Sequence, residues 1–492
     1  MKKTFAATLG LLAVIMTASP VSAYDRAAWR ADYAQLKRLM QQDYANLAWA
    51  ASPESGIDLP RLDQRTRAAL SAARTDAEAQ NALEAFVAGF HDGHLKLGRP
   101  AAAPLAQKAA EVPRPDFEAT DAAGSCAALG FNPGSSPLSF SLPVESLPGF
   151  QMRSDGLNSV YRSGVYTVTG LQIGLIRIPH FTMRALPATC RLGWERLVAT
   201  HQPLTSRSVR EAAYAVWLSA FRDTITDLRQ AGATRPLIDV GNNSGGDDSG
   251  DLFPRFLTDR AVRSAPLLMV ASATGARYFD EQISDLNALI DSHPGTEAEN
   301  ALTAARDDFV AGKAQTATPC DLSWVWHEQR SWPGAQCKRL IPAGFAGGHA
   351  PGLPRGAFAG NTEVSGQLSL PSAQEALWAA WIGPVYVLID GQTYSSAEMF
   401  AAVMQDNAIG KTVGVTTGGD GCGFMVDAVP SMLTHSRMSL RMPNCVRLRR
   451  EGRNEVSGIV PDIPVLPTQG EDSRQRAVRL LGLLAADNAP SR

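Results

Sequence analysis

A serine stands where a strand gives way to a helix. The apolar run 384–390 predicts a strand, a polar turn follows, and the pattern over 395–408 predicts a helix that opens at Ser395 or Ser396. There the free N–H groups and the helix dipole stabilise negative charge, which suits a nucleophile whose attack creates an oxyanion. The same serine is alternatively a plain N-cap, with Glu398 completing a capping box, and the local pattern alone favours the N-cap.

A second segment places two glycines after another strand. The pattern over 235–246 predicts a buried strand that runs into the turn Asn-Asn-Ser-Gly-Gly. Bare N–H groups at Gly245 and Gly246 would suit an oxyanion, whose stabilisation is usually the largest electrostatic contribution to acyl transfer. Taken alone, the segment predicts only a glycine turn.

Two histidines lie in a turn after a helical stretch. His91 and His94 occur in the sequence FHDGHLKL at 90–97. A histidine has the right ordinary pKa to act as a general base near neutrality, although a lone histidine is more often a satisfied surface or core residue. The HxxH spacing on a turn is a poor metal signature, and we predict neither a metal nor a cofactor.

The elements that must position these residues follow from periodicity. Apolar residues recur at three and four through the first region, which predicts helices, and strands alternate with helices in the last large region, which predicts an α/β core. The predicted regions are a signal peptide (1–23), an N-terminal helical domain (24–97), a linker (98–115), a Gly/Ser/Pro-rich β module (116–175), the α/β core (176–470) with a long insertion (272–380), and a C-terminal helix (471–492).

The N-terminus has the pattern of a secretory signal. Lys2 and Lys3 precede an apolar run, and a small-x-small site ends at Ala23. No later stretch has the length of about 20 apolar residues that a membrane span needs. We therefore predict an exported protein, with the bacterial periplasm as its destination.

Composition excludes some classes of partner. The chain of 492 residues is 45% hydrophobic and 19% charged, as in ordinary globular proteins. Its formal charge is −2, and removing Lys2 and Lys3 brings it to −4. Without a basic surplus or a Lys/Arg stripe beyond 447–453, we predict no nucleic-acid binding. The sequence predicts no oligomeric state.

Six cysteines in an oxidising compartment predict disulfides. Six allow 15 pairings, and sequence does not choose among them rigorously. Proximity favours Cys320–Cys337 and Cys422–Cys445, which leaves Cys126–Cys190. The spacing contains no CxxC and does not indicate a structural zinc site.

The motifs together resemble the tail-specific (C-terminal-processing) protease family, which includes the tricorn protease core. The resemblance rests on six motifs in order: DGHLKL at 92–97, DVGNNSGG at 239–246, TYSSAE at 393–398, QDN at 405–407, GKTVG at 410–414 and GIVPD at 458–462. It implies a crotonase-like (ClpP/crotonase) α/β fold and a serine peptidase that acts on peptide or protein substrates.

By this resemblance Ser395 is the nucleophile, since it stands three residues before Glu398 as the family's serine does. The oxyanion hole would be the backbone N–H of Ser396 together with that of Gly245 or Gly246.

The sequence departs from the family in its general base. Asp420 stands where most members have a lysine, and Phe424 replaces a glutamine. The tricorn-like branch instead uses a histidine and a glutamate, to which His94 and Glu455 correspond. The resemblance thus implies a triad in which Ser395 attacks, His94 takes the proton and Glu455 orients the ring.

Other residues remain open for these roles. His91 is the alternative base, and the alternative acids are Asp420, Asp247 and Asp462. Lys411 is close in sequence but enters a strand, where we expect it to point to solvent.

Two other functions remain open. The region 116–175 has no recognisable PDZ module, and the missing lysine is consistent with a catalytically inactive, peptide-binding relative. An esterase on the same core is the other alternative. Joint retention of Ser395, His94 and Glu455 favours the peptidase.

The signal peptide is directly testable. We expect the mature chain to begin at Tyr24, because Ala23 completes the only good cleavage site after the apolar run. Intact-mass measurement of protein taken from the periplasm checks this, and a mass that includes residues 1–23 would contradict it.

Overall fold

The computed structural model describes residues 24–99, 114–118, 121–318, 320–331, 337–426 and 430–487. The predicted signal peptide and most of the predicted linker lie outside the described residues. The α-helices are α1 (Arg26–Asp43), α2 (Leu47–Ala50), α3 (Leu59–Ala72), α4 (Asp76–Ala88), α5 (Ala122–Ala128), α6 (Pro187–Ala199), α7 (Ser206–Gln230), α8 (Ser249–Leu252), α9 (Ala273–Ser292), α10 (Glu297–Gln315), α11 (Thr362–Leu368), α12 (Ser396–Asp406) and α13 (Ser473–Ala486).

The strands form three sheets. They are β1 (Lys96–Gly98), β2 (Phe150–Asp155), β3 (Arg162–Val168), β4 (Leu171–Arg177), β5 (Arg235–Asp239), β6 (Pro266–Val270), β7 (Leu340–Phe345), β8 (Tyr386–Ile389), β9 (Lys411–Gly414), β10 (Ser431–Met432), β11 (Ser439–Arg441), β12 (Cys445–Arg447) and β13 (Ile463–Pro464).

The N-terminal helices begin at polar caps and bury an apolar stripe. The Asp25 side chain accepts from the first N–H groups of α1, and Thr75 caps α4. Their buried faces form one core with residues from 322–326 and 433–442. After α4 the chain turns through His91 and His94 into β1, which pairs antiparallel with β11. The helical region is thereby tied to the C-terminal half of the chain.

The central sheet has seven strands in the order β13-β9-β8-β5-β4-β3-β2. Five consecutive strands of this sheet pair in parallel, so their carboxyl ends lie at one edge. They are β4, β5, β8, β9 and β13. Helix α7 covers one face and α13 the other, which explains the continuous apolar runs of β5 and β8. Because β5 and β8 are adjacent, the glycine turn and the serine turn that follow them meet.

The region 116–175 contributes to this same sheet. It supplies β2, β3 and most of β4, which pair antiparallel in sequence order. The predicted insertion 272–380 contains α9, α10, β7 and α11, and β7 joins β6 and β12 in a smaller sheet. None of the described helices is long and apolar enough to cross a membrane.

Three disulfides connect the six cysteines. The pairs are Cys126–Cys190, Cys320–Cys337 and Cys422–Cys445. The pairing favoured by proximity in sequence is therefore confirmed. The third pair ties the segment after β9 to the first residue of β12.

A buried ion pair supports the edge of the sheet where the turns meet. Arg177 and Asp239 end neighbouring strands, are each 1% exposed in their side chains and lie 3.3 Å apart. We expect Arg177→Met to lower the free energy of unfolding by about 3–5 kcal/mol, because Asp239 would keep a buried charge without its partner. Denaturant unfolding measures this change.

The matched control is an exposed arginine pair. Arg153 binds Asp227 with side chains 43% and 40% exposed, so Arg153→Met should cost about 0–1 kcal/mol. Equal losses for the two variants would contradict the role of burial.

Candidate active site

The backbone of Ser395 is strained. Its φ of 56° and ψ of −118° lie outside the ordinary left-handed region, and it immediately precedes α12. The turn before it is held by Thr393, whose hydroxyl donates to the carbonyl of Val240 at 3.0 Å. Backbone strain of this kind costs about 1–3 kcal/mol and persists where surrounding contacts determine it. The strand-to-helix turn predicted for the serine is therefore present.

The glycine turn lies directly against this serine. A Cβ on Gly245 would lie 2.7 Å from the Cβ of Ser395, and the φ of 91° at Gly245 favours glycine for a second reason. The N–H of Gly245 donates to the side chain of Asn243 at 2.8 Å. Within the described residues, the N–H groups of Gly246 and Ser396 have no recorded acceptor. These two N–H groups are therefore without an intramolecular acceptor in the part of the chain that the structure describes.

Glu398 joins the serine turn to the loop after β9. One oxygen accepts from the Thr417 hydroxyl at 2.6 Å and the N–H of Gly419 at 2.8 Å. The other accepts from the N–H groups of Ser395, Asp420 and Gly421, at 3.0, 2.9 and 3.2 Å.

Two effects oppose each other at this carboxyl. Burial raises the pKa of Glu398 to about 7, and the charge of Glu455 acts in the same direction, whereas the hydrogen bonds from Thr417, Asp420 and Gly419 favour the ionised form. The local pattern predicted Glu398 as half of a capping box, and its bond to the Ser395 N–H agrees. The additional donors come from a distant segment.

The same loop contacts His94. Its Nδ1 lies 3.2 Å from the carbonyl oxygen of Asp420 and 3.8 Å from that residue's Oδ2. Because both partners are acceptors, this contact favours the tautomer with the proton on Nδ1 and leaves Nε2 free to accept a proton. The Asp92 carboxylate accepts the backbone N–H of His94 at 2.9 Å. His91, the alternative base, has an exposed side chain.

Glu455 has a different partner. It is fully buried and lies 2.7 Å from Arg447, which also donates to the carbonyl of Ser395 at 3.3 Å and to that of Gly421 at 2.9 Å. Within the described residues no hydrogen bond or ion pair joins Glu455 to His94. Glu455 thus reaches the serine through Arg447, while the carboxylate beside the His94 ring is Asp420.

Arg447 is a site residue that its sequence context does not indicate. It begins the basic stretch 447–453, and an arginine in a short apolar strand has no pattern of its own. Its side chain is nevertheless buried, with 4% exposed, beside the buried Cys445 and Val446. The apolar neighbours are the one signal in the sequence for this burial, and the sequence does not show that Glu455 is the partner.

The other residues considered from sequence have structural contacts. Lys411 binds Asp487 at 2.7 Å, and Asp462 accepts from the N–H of Thr412 at 2.8 Å. The side chain of Asp247 accepts from the N–H of Ser249 at 3.1 Å. None of the three is recorded in contact with His94 or Ser395 among the described residues.

Three side chains at the site have ligand atoms close enough for a metal ion. Asp92, His94 and Asp420 each offer one such atom within 4.8 Å of the others. The oxygens of Asp92, however, already accept from Tyr44, from Asn46 and from two backbone N–H groups. A metal would have to displace these donors, so the cluster fits a hydrogen-bonded histidine better than a metal centre.

Comparison with known proteins finds a family similarity in one part of the chain. Residues 342–465, which include Ser395, Asp420 and Glu455, match the model of peptidase family S41. Over this segment the chain is similar to that family, in agreement with a serine-type peptidase.

Solved structures agree on the fold. A mutant of CPAF is 16% identical, with 94% of this chain and 99% of that chain covered and a TM-score of 0.55. Mature CPAF complexed with lactacystin is 14% identical, with 93% and 97% covered and a TM-score of 0.53. At this identity the likeness concerns the fold alone. No curated protein matches the chain in sequence.

Because Glu398 accepts five hydrogen bonds, we expect Glu398→Gln to lower the free energy of unfolding. Glu398→Gln replaces one accepting oxygen by an NH2 group that faces N–H or O–H donors. We expect a loss of about 1–3 kcal/mol in unfolding free energy for each donor left without an acceptor. Denaturant unfolding measures it, with Glu297→Gln on the exposed first turn of α10 as a control that changes stability by about 0.5 kcal/mol or less. An unchanged Glu398→Gln protein would contradict this role.

Proposed function

We propose that this peptidase cleaves peptide bonds with Ser395 as nucleophile and His94 as general base. The observation that carries the proposal is that the loop 417–421 binds both sides of the site. Its N–H groups bind Glu398, which holds the Ser395 N–H, and its Asp420 lies beside Nδ1 of His94. The two groups are therefore positioned by one segment.

The reaction follows from these positions. Ser395 Oγ attacks the carbonyl carbon of the scissile bond and gives its proton to Nε2 of His94, which then passes it to the leaving amine. The N–H groups of Ser396 and Gly246 bind the oxyanion. The Nδ1–H group remains on the Asp420 side, where the carboxylate stabilises the imidazolium ion. Water then hydrolyses the acyl-enzyme by the same steps.

The acid of the triad has two candidates. The resemblance to the tricorn-like branch favours Glu455, whereas the contacts of His94 favour Asp420. We assign the orienting role to Asp420, because the charge of Glu455 is compensated by Arg447. On this assignment Glu455 and Arg447 fix the backbone of Ser395 and of Gly421.

Three further expectations belong to this proposal. The parallel strands and covering helices support a crotonase-like core. Export to the periplasm is supported by the N-terminal pattern and by three disulfides, which persist in oxidising compartments. The substrates would be peptides or unfolded segments of proteins.

Active-site variants test the proposal. Ser395→Ala and His94→Ala should each abolish hydrolysis of a casein substrate while the proteins stay folded. The double variant should be scarcely worse than either single one, because members of a triad act as a unit. Lys411→Ala should keep its activity, since that side chain binds Asp487. Loss of activity in Lys411→Ala with retention in His94→Ala would contradict the histidine base.

A fluorophosphonate probe separates the alternatives. Labelling of wild-type protein at Ser395 supports the nucleophile, and absence of both labelling and turnover would support the inactive, peptide-binding relative. Cleavage of nitrophenyl esters without cleavage of casein would support an esterase.

The choice of acid has its own test. Asp420→Asn should lower kcat if this carboxylate stabilises the imidazolium ion, because it removes the charge 3.8 Å from Nδ1 and keeps the backbone carbonyl at 3.2 Å. Glu455→Gln should instead reduce the stability of the folded protein, because it leaves Arg447 buried without its charge partner. A larger kcat loss in Glu455→Gln than in Asp420→Asn, with both proteins folded, would return the orienting role to Glu455.

A further inference from the structure

The residues 420–424 enclose the ring of His94. Asp420 lies at Nδ1, and a Cβ on Gly423 would lie 2.8 Å from Nε2. Phe424 makes an edge contact with the imidazole, with ring centroids 5.6 Å apart and planes at 83°. We call residues 420–424 the histidine cradle. It contacts the ring at Nδ1 and at its aromatic edge, and its backbone passes close to Nε2.

A disulfide joins the histidine cradle to strand β12. Cys422 is joined to Cys445, the first residue of β12, and both cysteines are buried. The N–H of Asn444 donates to the carbonyl of Gly423 at 3.0 Å, and β12 pairs with β6. The disulfide is therefore the covalent connection between the cradle and the small sheet.

Phe424 of the histidine cradle also contacts a cation. The guanidinium carbon of Arg441 lies 3.6 Å from the ring centre of Phe424, as in a cation–π pair. Arg441 belongs to β11, which pairs with β1 directly after His94. Phe424 is thus held in place by Arg441 while it contacts His94.

The segment itself has little intrinsic order. Glycine occupies positions 418, 419, 421 and 423, and glycine loses more conformational freedom on folding than any other residue. A segment of this composition needs external fixation to keep one conformation. Glu398 supplies it over residues 417–421, and the disulfide supplies it at Cys422.

We propose that the Cys422–Cys445 disulfide and Phe424 are positioning elements for the His94 base, so that the peptidase becomes competent only after this disulfide has closed. The inference rests on the proposed function of His94. In closing, the two thiols lose two protons and two electrons to a disulfide-type oxidant, which is reduced to two thiols by thiol–disulfide exchange. The peptidase would stay latent in a reducing compartment and gain activity in an oxidising one.

The central test compares two disulfides. In Cys422→Ser/Cys445→Ser we expect kcat/KM to fall by roughly 10–100-fold in the folded protein, since misplacement of a catalytic group by about 1 Å can cost 10²-fold. The control is Cys126→Ser/Cys190→Ser, which opens a longer loop, 64 residues against 23, and so should lose at least as much thermal stability. Its kcat/KM per folded molecule should match that of wild type. Equal kcat/KM losses in the two pairs would overturn the proposal.

Phe424 is tested with the disulfide intact. Phe424→Leu should lower kcat and shift the pH dependence of fluorophosphonate labelling at Ser395. Phe424→Tyr should leave both close to the wild-type values, because it keeps the aromatic ring. A purely structural role would lower stability without moving the pH profile. An unchanged profile in Phe424→Leu would therefore contradict the positioning role.

The failures of the two proposals are distinguishable. A wild-type protein that does not label at Ser395 would refute the proposed function. A wild-type protein that labels, beside a Cys422→Ser/Cys445→Ser protein that labels at the same rate and with the same pH profile, would refute only the role of the disulfide.

Discussion

The buried carboxylate of Glu398 is the interaction on which the site depends. It receives four backbone N–H groups and one hydroxyl, from Ser395 on one side and from the loop 417–421 on the other. Such convergence of donors offsets part of the cost of burying a charge, although burial still raises the pKa of Glu398 to about 7. Because Asp420 belongs to that loop, one carboxylate coordinates the conformations of both the serine turn and the segment beside His94.

A second buried charge completes this framework. Arg447 binds Glu455 and donates to the carbonyls of Ser395 and Gly421. Glu398 thus receives the N–H groups of the two turns, and Arg447 binds their carbonyls. The N–H and the carbonyl of Ser395 are therefore both bound, by Glu398 and by Arg447. Such surrounding contacts are what allows an unusual φ and ψ to persist at a functional residue.

The sequence predicted the features that depend on local pattern. The strand-to-helix turn at Ser395, the glycine turn at 245–246 and the disulfide pairing were all predictable from spacing and residue type. The choice among the alternative acids for His94 was not, because it depends on how the helical region and the loop after β9 come together. Asp420 was one of three alternatives in the sequence, and its contacts with the N–H of Gly93 and with the ring of His94 join segments more than 300 residues apart. The pairing of Glu455 with Arg447 was likewise not predicted.

The adjacency of β5 and β8 also bears on the order of events during synthesis. The two strands are hydrogen-bonded neighbours although the whole 272–380 segment separates them in the chain. A nascent chain that has emerged only as far as α12 has His94, the glycine turn and Ser395, but lacks Asp420, Arg447 and both cysteines of the third disulfide. Contacts between such distant segments form late, since long loops must close first. The segments that bind the turn of Ser395 and lie beside His94 therefore join the fold only after residues 410–455 have been made.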